Sequence, residues 1–159
     1  MNPKKILALI AAIVGCNLAG GLGSLFTAPA IPTWYATLNK PFFNPPSWIF
    51  APVWTLLFTL MGISLFLIIN QPLRNQEFRL AIKLFLAQLV LNVLWSVIFF
   101  GNQNPGLAFA EIILLIILVM LTIVQFYPLS KKASYLLLPY FVWILFASIL
   151  SYTIWQLNS

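Results

Sequence analysis

Gln88, Asn92, Trp95 and Phe99 recur at i, i+4, i+7 and i+11, the spacing that places side chains on one face of a helix. Carboxamides followed by aromatics make a stripe able to hold a flat, apolar molecule, because rings supply contact area and amides supply direction. Further along, Tyr140, Trp143, Ala147 and Ser151 form a similar face with Phe146 beside it, and Trp54 and Phe58 stack one turn apart on a third segment. Each stripe alone is ordinary helix packing, and bonding between helices accounts for Gln88 and Asn92 by itself. Together the stripes predict a polar-tipped aromatic cavity. The sequence lacks the standard catalytic sets. There is no histidine, and the single cysteine, Cys16, can supply neither an internal disulfide nor a usual zinc or iron–sulfur site. Cys16 reads as a small buried hydrophobe, and no metal is expected. Glu111, the one acidic residue within an apolar segment, is a functional candidate by position alone. Snorkelling to a nearby turn or bonding inside the bundle explains it equally well, and it keeps a proton-coupled transporter open as a reading.

These faces need helices to carry them, and the composition says where those helices lie. Of 159 residues, 62% are hydrophobic and 6% charged, far outside the balance of a soluble domain. Apolar stretches at about 6–26, 47–69, 78–101, 105–127 and 134–157 each reach the roughly 20 residues that cross about 30 Å of hydrocarbon. The expected fold is an all-α integral membrane protein, a single domain over residues 1–159 built as a five-helix bundle. The first stretch is too long for a signal-peptide core and has no cleavage-like region after it, so it is expected to be retained. Pro3, Pro46, Pro72, Pro105 and Pro128 fall at helix ends, whereas Pro52 and Pro139 fall inside spans and predict kinks. On the first span Ala8, Ala12, Gly15, Ala19 and Gly23 form a small-residue ridge, with Gly20, Gly21 and Ser24 beside it. Such a ridge lets helices approach closely, within the bundle in preference to a dimer seam. Asn17, mid-span, is expected to bond across helices.

The basic residues set the orientation. Lys4, Lys5, Arg74, Arg79, Lys83, Lys131 and Lys132 fall at one end of a five-span chain and only Lys40 at the other. The positive-inside rule then puts the N-terminus in the cytoplasm, assuming a cytoplasmic membrane. The net charge of +6 reflects these loops, and no pattern interleaves it into a nucleic-acid surface.

The first loop is the most specific part of the chain. It runs Trp34-Tyr35-Ala36-Thr37-Leu38-Asn39-Lys40-Pro41-Phe42-Phe43-Asn44-Pro45-Pro46-Ser47-Trp48, with Trp54 in the following span. Three prolines in six residues forbid a continuous helix, and the aromatics among them make a stiff, amphipathic lid at the membrane edge. An interfacial belt also enriches Trp and Tyr, but it does not require this order. The order resembles the signature of the TspO/MBR family, the tryptophan-rich sensory proteins related to the mitochondrial translocator protein. Gln88 to Asn92 to Trp95 before Phe99-Phe100-Gly101, and Pro139-Tyr140 to Trp143, Phe146-Ala147 and Trp155, are similar to that family's third- and fifth-helix motifs. The resemblance implies a usually dimeric five-helix fold with a cavity beneath the first loop. That cavity binds porphyrins and other tetrapyrroles, sterols in some members, and benzodiazepine-type synthetic ligands. By matching motif it implies Trp34, Tyr35, Trp54, Phe58, Asn92, Trp95, Phe99, Trp143, Phe146 and Ala147 as ligand-binding residues. Trp54 and Trp143 match the tryptophans implicated in light-dependent porphyrin breakdown in relatives.

Two positions depart from the pattern. Phe43 stands where many relatives carry another tryptophan. More consequential, Tyr152 is followed by Thr153, Ile154, Trp155 and Gln156, with no basic residue, so the sterol pattern is incomplete and counts against sterol handling. The expected function is a tetrapyrrole-binding membrane sensor or regulator that needs no cofactor, with protoporphyrin-type molecules and the lipid bilayer as partners and a homodimer as the assembly. The alternatives are a transporter of porphyrin or sterol and a light-dependent porphyrin-degrading enzyme. Orientation can be checked directly: a reporter fused after Ser159 is expected outside the cytoplasm and one inserted near Gln76 inside it. Both on one side would reject the five-span reading.

Overall fold

Most of the spanning helices begin at a residue that caps them. Asn2 Oδ1 accepts from the Lys4 N–H at 3.1 Å, Asn75 Oδ1 from Phe78 at 3.0 Å, Asn104 Oδ1 from Leu107 at 3.0 Å, and Ser130 Oγ from Ala133 at 3.3 Å. Each bond satisfies a backbone donor that the first turn leaves free. The computed structural model describes residues 2–72 and 75–159. Arg74, counted above with the basic residues, lies outside them.

The chain runs α1 (Pro3–Ala30), α2 (Trp34–Thr37), a 3₁₀ turn (Ser47–Ile49) leading into α3 (Phe50–Ile69), α4 (Gln76–Ser96) continued by a π-helical turn (Val97–Gly101), α5 (Pro105–Phe126), α6 (Lys131–Leu136) and α7 (Leu138–Leu157). Among the described residues, five helical stretches are long and apolar enough to cross a membrane: α1, the 3₁₀ turn with α3, α4 with its π turn, α5, and α6 with α7. The five-span fold stands, with changes at its ends. The first span was expected to stop near residue 26 but continues through Pro29 to Ala30. Pro29 falls in the last turn, where it removes only the bond its N–H would have made to Leu25, so the helix is not stopped. Pro52 sits in the first turn of α3, where a missing donor is cheap, so the expected kink becomes the passage from 3₁₀ to α-helix. Pro139 does interrupt its span, and the break falls at Leu137 between α6 and α7.

The spans form a closed ring in which α1 contacts α3 and α4, α4 contacts α5, α5 contacts α7, and the α6–α7 span returns to α3. At the basic end α3 and α6 are tied together by Ser64 Oγ, which donates to the Ala133 carbonyl at 2.7 Å. Ser134 Oγ donates to the Ile123 carbonyl at 2.8 Å and ties α6 to α5. Toward the lid, α3 holds α7 far less extensively than it holds α6. The break at Leu137 thus lets the ring open toward the first loop. Two cores result: one around Met61, Phe85, Phe126 and Tyr140, and a smaller one around Tyr35, Phe99, Phe100 and Ile154 at the lid end.

The small-residue ridge of α1 divides its work. A Cβ at Gly20 would strike the Phe58 ring at 2.5 Å and one at Gly23 would meet Ser96 Oγ at 3.0 Å, whereas Gly15 and Gly21 face open space. Part of the ridge therefore packs inside the bundle. Asn17 Nδ2 donates to Thr59 Oγ1 at 3.3 Å, the cross-helix bond expected of it, and to the Ile13 carbonyl at 3.0 Å. An equally close approach, this one against backbone, is made by Gly62 on α3, which the ridge argument overlooked. A Cβ there would lie 2.5 Å from the Ile13 Cα and 2.9 Å from the Ala12 carbonyl oxygen. Both obstacles are backbone and cannot rotate aside, so α1 itself would have to move. Gly62→Ala is therefore expected to destabilise the protein by about 1–3 kcal/mol, the usual cost of overpacking. Gly15→Ala should be neutral or slightly stabilising. Thermal unfolding in detergent checks the pair, and equal effects would contradict the packing.

Candidate functional site

Where α3 and α7 separate, a cavity of about 420 Å³ lies beneath the first loop, within the range of small-molecule sites. Its walls come from α1, α3, α4 with its π turn, α7 and the lid, and α5 contributes no lining side chain. Nine of the ten residues that the resemblance implied as ligand-binding line it: Tyr35, Trp54, Phe58, Asn92, Trp95, Phe99, Trp143, Phe146 and Ala147. Trp34 does not. It stands behind the wall, edge-on to Phe99 with ring centroids 5.7 Å apart.

The floor is formed at Asn92, behind which runs a buried polar chain. Asn92 Nδ2 donates to the Tyr140 hydroxyl at 2.9 Å, and that hydroxyl donates to Gln88 Oε1 at 3.0 Å. Tyr140 is completely buried, and Trp54 packs edge-on against its ring at 6.3 Å. The carboxamides of α4 therefore do bind helices together, through a tyrosine that carried no site assignment. Among the described residues the Asn92 side-chain oxygen has no protein donor, so the residue can tie α4 to α7 and still offer an acceptor at the cavity floor.

The side wall depends on the π turn. In it the Asn102 N–H reaches back to the Val97 carbonyl at 2.8 Å, a five-residue step. The wider turn crowds consecutive side chains toward one side, and Ile98, Phe99 and Phe100 are all buried. Phe99 stacks on Trp95 at 5.0 Å and meets Phe100 at 4.8 Å, giving a continuous aromatic surface.

The lid is folded on itself. The Tyr35 hydroxyl donates to Asn44 Oδ1 at 2.6 Å, so the two ends of the loop are drawn together. Burial pushes this hydroxyl up to about 12, and it remains a donor at neutral pH. Lys40 Nζ sits 4.9 Å from the centre of the Tyr35 ring and donates to the Leu38 carbonyl at 3.1 Å. Phe43, the departure noted above, packs against Phe146 at 6.4 Å and so keeps an aromatic contact between lid and α7.

Sequence reasoning missed the α1 wall. Asn17, Gly20, Gly23, Ser24 and Thr27 line the cavity, but their small-residue signal is shared by every close-packed membrane helix. Glu111 neither snorkels nor bonds within the bundle: it is buried on α5, both oxygens lack a hydrogen-bond partner among the described residues, and it does not line the cavity.

The chain is similar to known proteins over most of its length. The model of the TspO/MBR family matches residues 12–156. The chain is 50% identical over 155 residues to the tryptophan-rich protein TspO of Archaeoglobus fulgidus, covering 98% of this chain and 99% of that protein. It is 35% identical over 143 residues to the translocator protein of Bos taurus, covering 89% and 85%. It is 34% identical over 125 residues to the tryptophan-rich sensory protein of Cereibacter sphaeroides, covering 79% and 77%.

The floor geometry generates a coupling experiment. Tyr140→Phe removes the hydroxyl that serves both amides, and a loss of about 1–2 kcal/mol is expected, the upper range for polar contacts between membrane helices. Adding Asn92→Ala to Tyr140→Phe should cost less than the two single losses combined, because both remove the same bond. Strict additivity in unfolding experiments would show that Asn92 and Tyr140 act separately.

Proposed function

The chain belongs to the TspO/MBR family, and on that premise we propose that it is a membrane sensor or regulator that captures a porphyrin-type tetrapyrrole beneath its first loop. The observation that carries the reading is the convergence of the α3, α4 and α7 aromatic faces on one cavity under the Trp/Pro lid. Indole and phenyl faces suit a flat macrocycle by stacking and by burial. The free Asn92 oxygen supplies an acceptor for a pyrrole N–H, which favours the metal-free ring. Acidic substituents of such a ligand would remain at the lid surface near Lys40. No histidine is available as an axial ligand, and a metal-free porphyrin asks for none. The protein acts in this reading without a cofactor, as a homodimer in a cytoplasmic membrane with the basic end inside.

A second reading rests on one observation: Trp54 and Trp143, the two indoles singled out for photochemistry, both line the cavity. Light-dependent breakdown of the bound porphyrin would then accompany binding.

Protoporphyrin titration with tryptophan quenching tests both. Trp54→Phe and Trp143→Phe should each weaken binding only modestly, by about 0.5–1.5 kcal/mol, since a phenyl ring still stacks. If the indoles are photochemical partners, light-dependent loss of porphyrin absorbance should fall sharply in these variants while binding persists. Unchanged affinity in a folded Trp54/Trp143/Asn92 triple variant would place the site elsewhere.

A further inference from the structure

The lid is joined to α7 by an unusual amide pair. Asn158 Oδ1 accepts from the Asn39 backbone N–H at 3.0 Å, and Asn158 Nδ2 donates to the Asn39 carbonyl at 2.9 Å. One side-chain amide thus engages both backbone groups of a single residue, as a neighbouring peptide would, and fixes the loop in position and orientation. The same Nδ2 also donates to the Ile154 carbonyl at 2.7 Å, which anchors the amide to the last turn of α7. Asn39 Nδ2 reaches the Leu157 carbonyl at 3.5 Å. Asn39 can be held this way because Leu38 is extended and Lys40 precedes Pro41, so no helix claims its N–H and carbonyl.

The other lid bonds are internal. Tyr35 to Asn44, Thr37 to Trp34, and Lys40 to Leu38 and Ala36 all stay within the loop. Among the described residues, the Asn39 contacts with Asn158 and Leu157 are the hydrogen bonds that tie residues 36–44 to a spanning helix. Both asparagines are exposed, so water can replace the bonds when they open and no buried polar group is stranded. The Tyr35–Asn44 bond, which is partly buried, holds the lid's shape. The Asn158 pair holds its place over the cavity.

We propose that Asn158 is a positioning residue that latches the first loop closed over the cavity and so sets the rate at which a bound molecule leaves. The inference rests on the cavity being the binding site. Asn158→Ala is expected to speed the release of protoporphyrin IX about tenfold, with a smaller change in equilibrium affinity because entry accelerates too. Asn158→Asp, which keeps the acceptor for Asn39 but loses the donor, should fall between. Asn39→Pro removes the N–H while leaving the Asn158–Ile154 bond intact. It should speed release as well, which loss of a helix-end bond in α7 would not explain.

A second readout needs no porphyrin. Maleimide labelling of an Ala147→Cys reporter, in a Cys16→Ser background, should be about tenfold faster when Asn158→Ala is added. Unchanged labelling in Asn158→Ala overturns the latch. Faster release in Asn158→Ala but not in Asn39→Pro also overturns it, since the effect then belongs to α7. Faster labelling with no protoporphyrin bound by any variant upholds the latch and removes the porphyrin reading.

Discussion

A tyrosine hydroxyl placed between two carboxamides in hydrocarbon is the constraint from which the site follows. Tyr140 accepts from Asn92 and donates to Gln88, and each of these groups would be costly to bury alone. The chain fixes α4 against α7 in one register, because a shift of either helix by a single residue would separate the partners. That register presents Trp95 and Phe99 from one side and Trp143, Phe146 and Ala147 from the other. The polar floor and the aromatic walls are consequences of one alignment.

The cavity is space left by helices that diverge. The break at Leu137 allows α6 to be drawn against α3 and α5 by two serine hydroxyls while α7 leans away. The π turn then covers one side of the gap with Phe99 and Phe100. The break and the π turn each exchange regular helix for a local shape, and both sit beside the candidate site, where such irregularities are most often found. The fourth span stays outside the site, packing a continuous apolar stripe of Ala108, Ile112, Leu115 and Val119 against its neighbours.

Much of this was legible because helical spacing and the lipid solvent leave few choices. Apolar runs located the five spans, and the four- and three-residue steps from Gln88 to Asn92 to Trp95 gave the inner face of α4 before any contact was known. The Trp/Pro order of the first loop gave the family. Three features were illegible for separate reasons. Gly62 resembles any other glycine in a span until the opposing backbone is placed. The π turn leaves no composition signal in Val97–Gly101. The pairing of Asn39 with Asn158 joins residues 119 positions apart, beyond anything local spacing encodes. Trp34, which motif matching put among the ligand-binding residues, is not part of the cavity lining and packs edge-on against Phe99.

The contact at Gly62 also bears on how the molecule is assembled. Spans one and two are consecutive in sequence and adjacent in space, and at Gly62 the second lies directly against the backbone of the first. It can form as soon as the second span enters the bilayer, giving an early hairpin with the lid as its connection. The last span occupies a different position in this sequence of events. It closes the ring by touching both the second and the fourth spans, and it brings Tyr140. Until it arrives, Gln88 and Asn92 stand in the membrane without the hydroxyl that joins them. A nascent chain stalled before its final helix therefore carries unmet amides on its interior face, a chemical mark by which unfinished copies differ from finished ones.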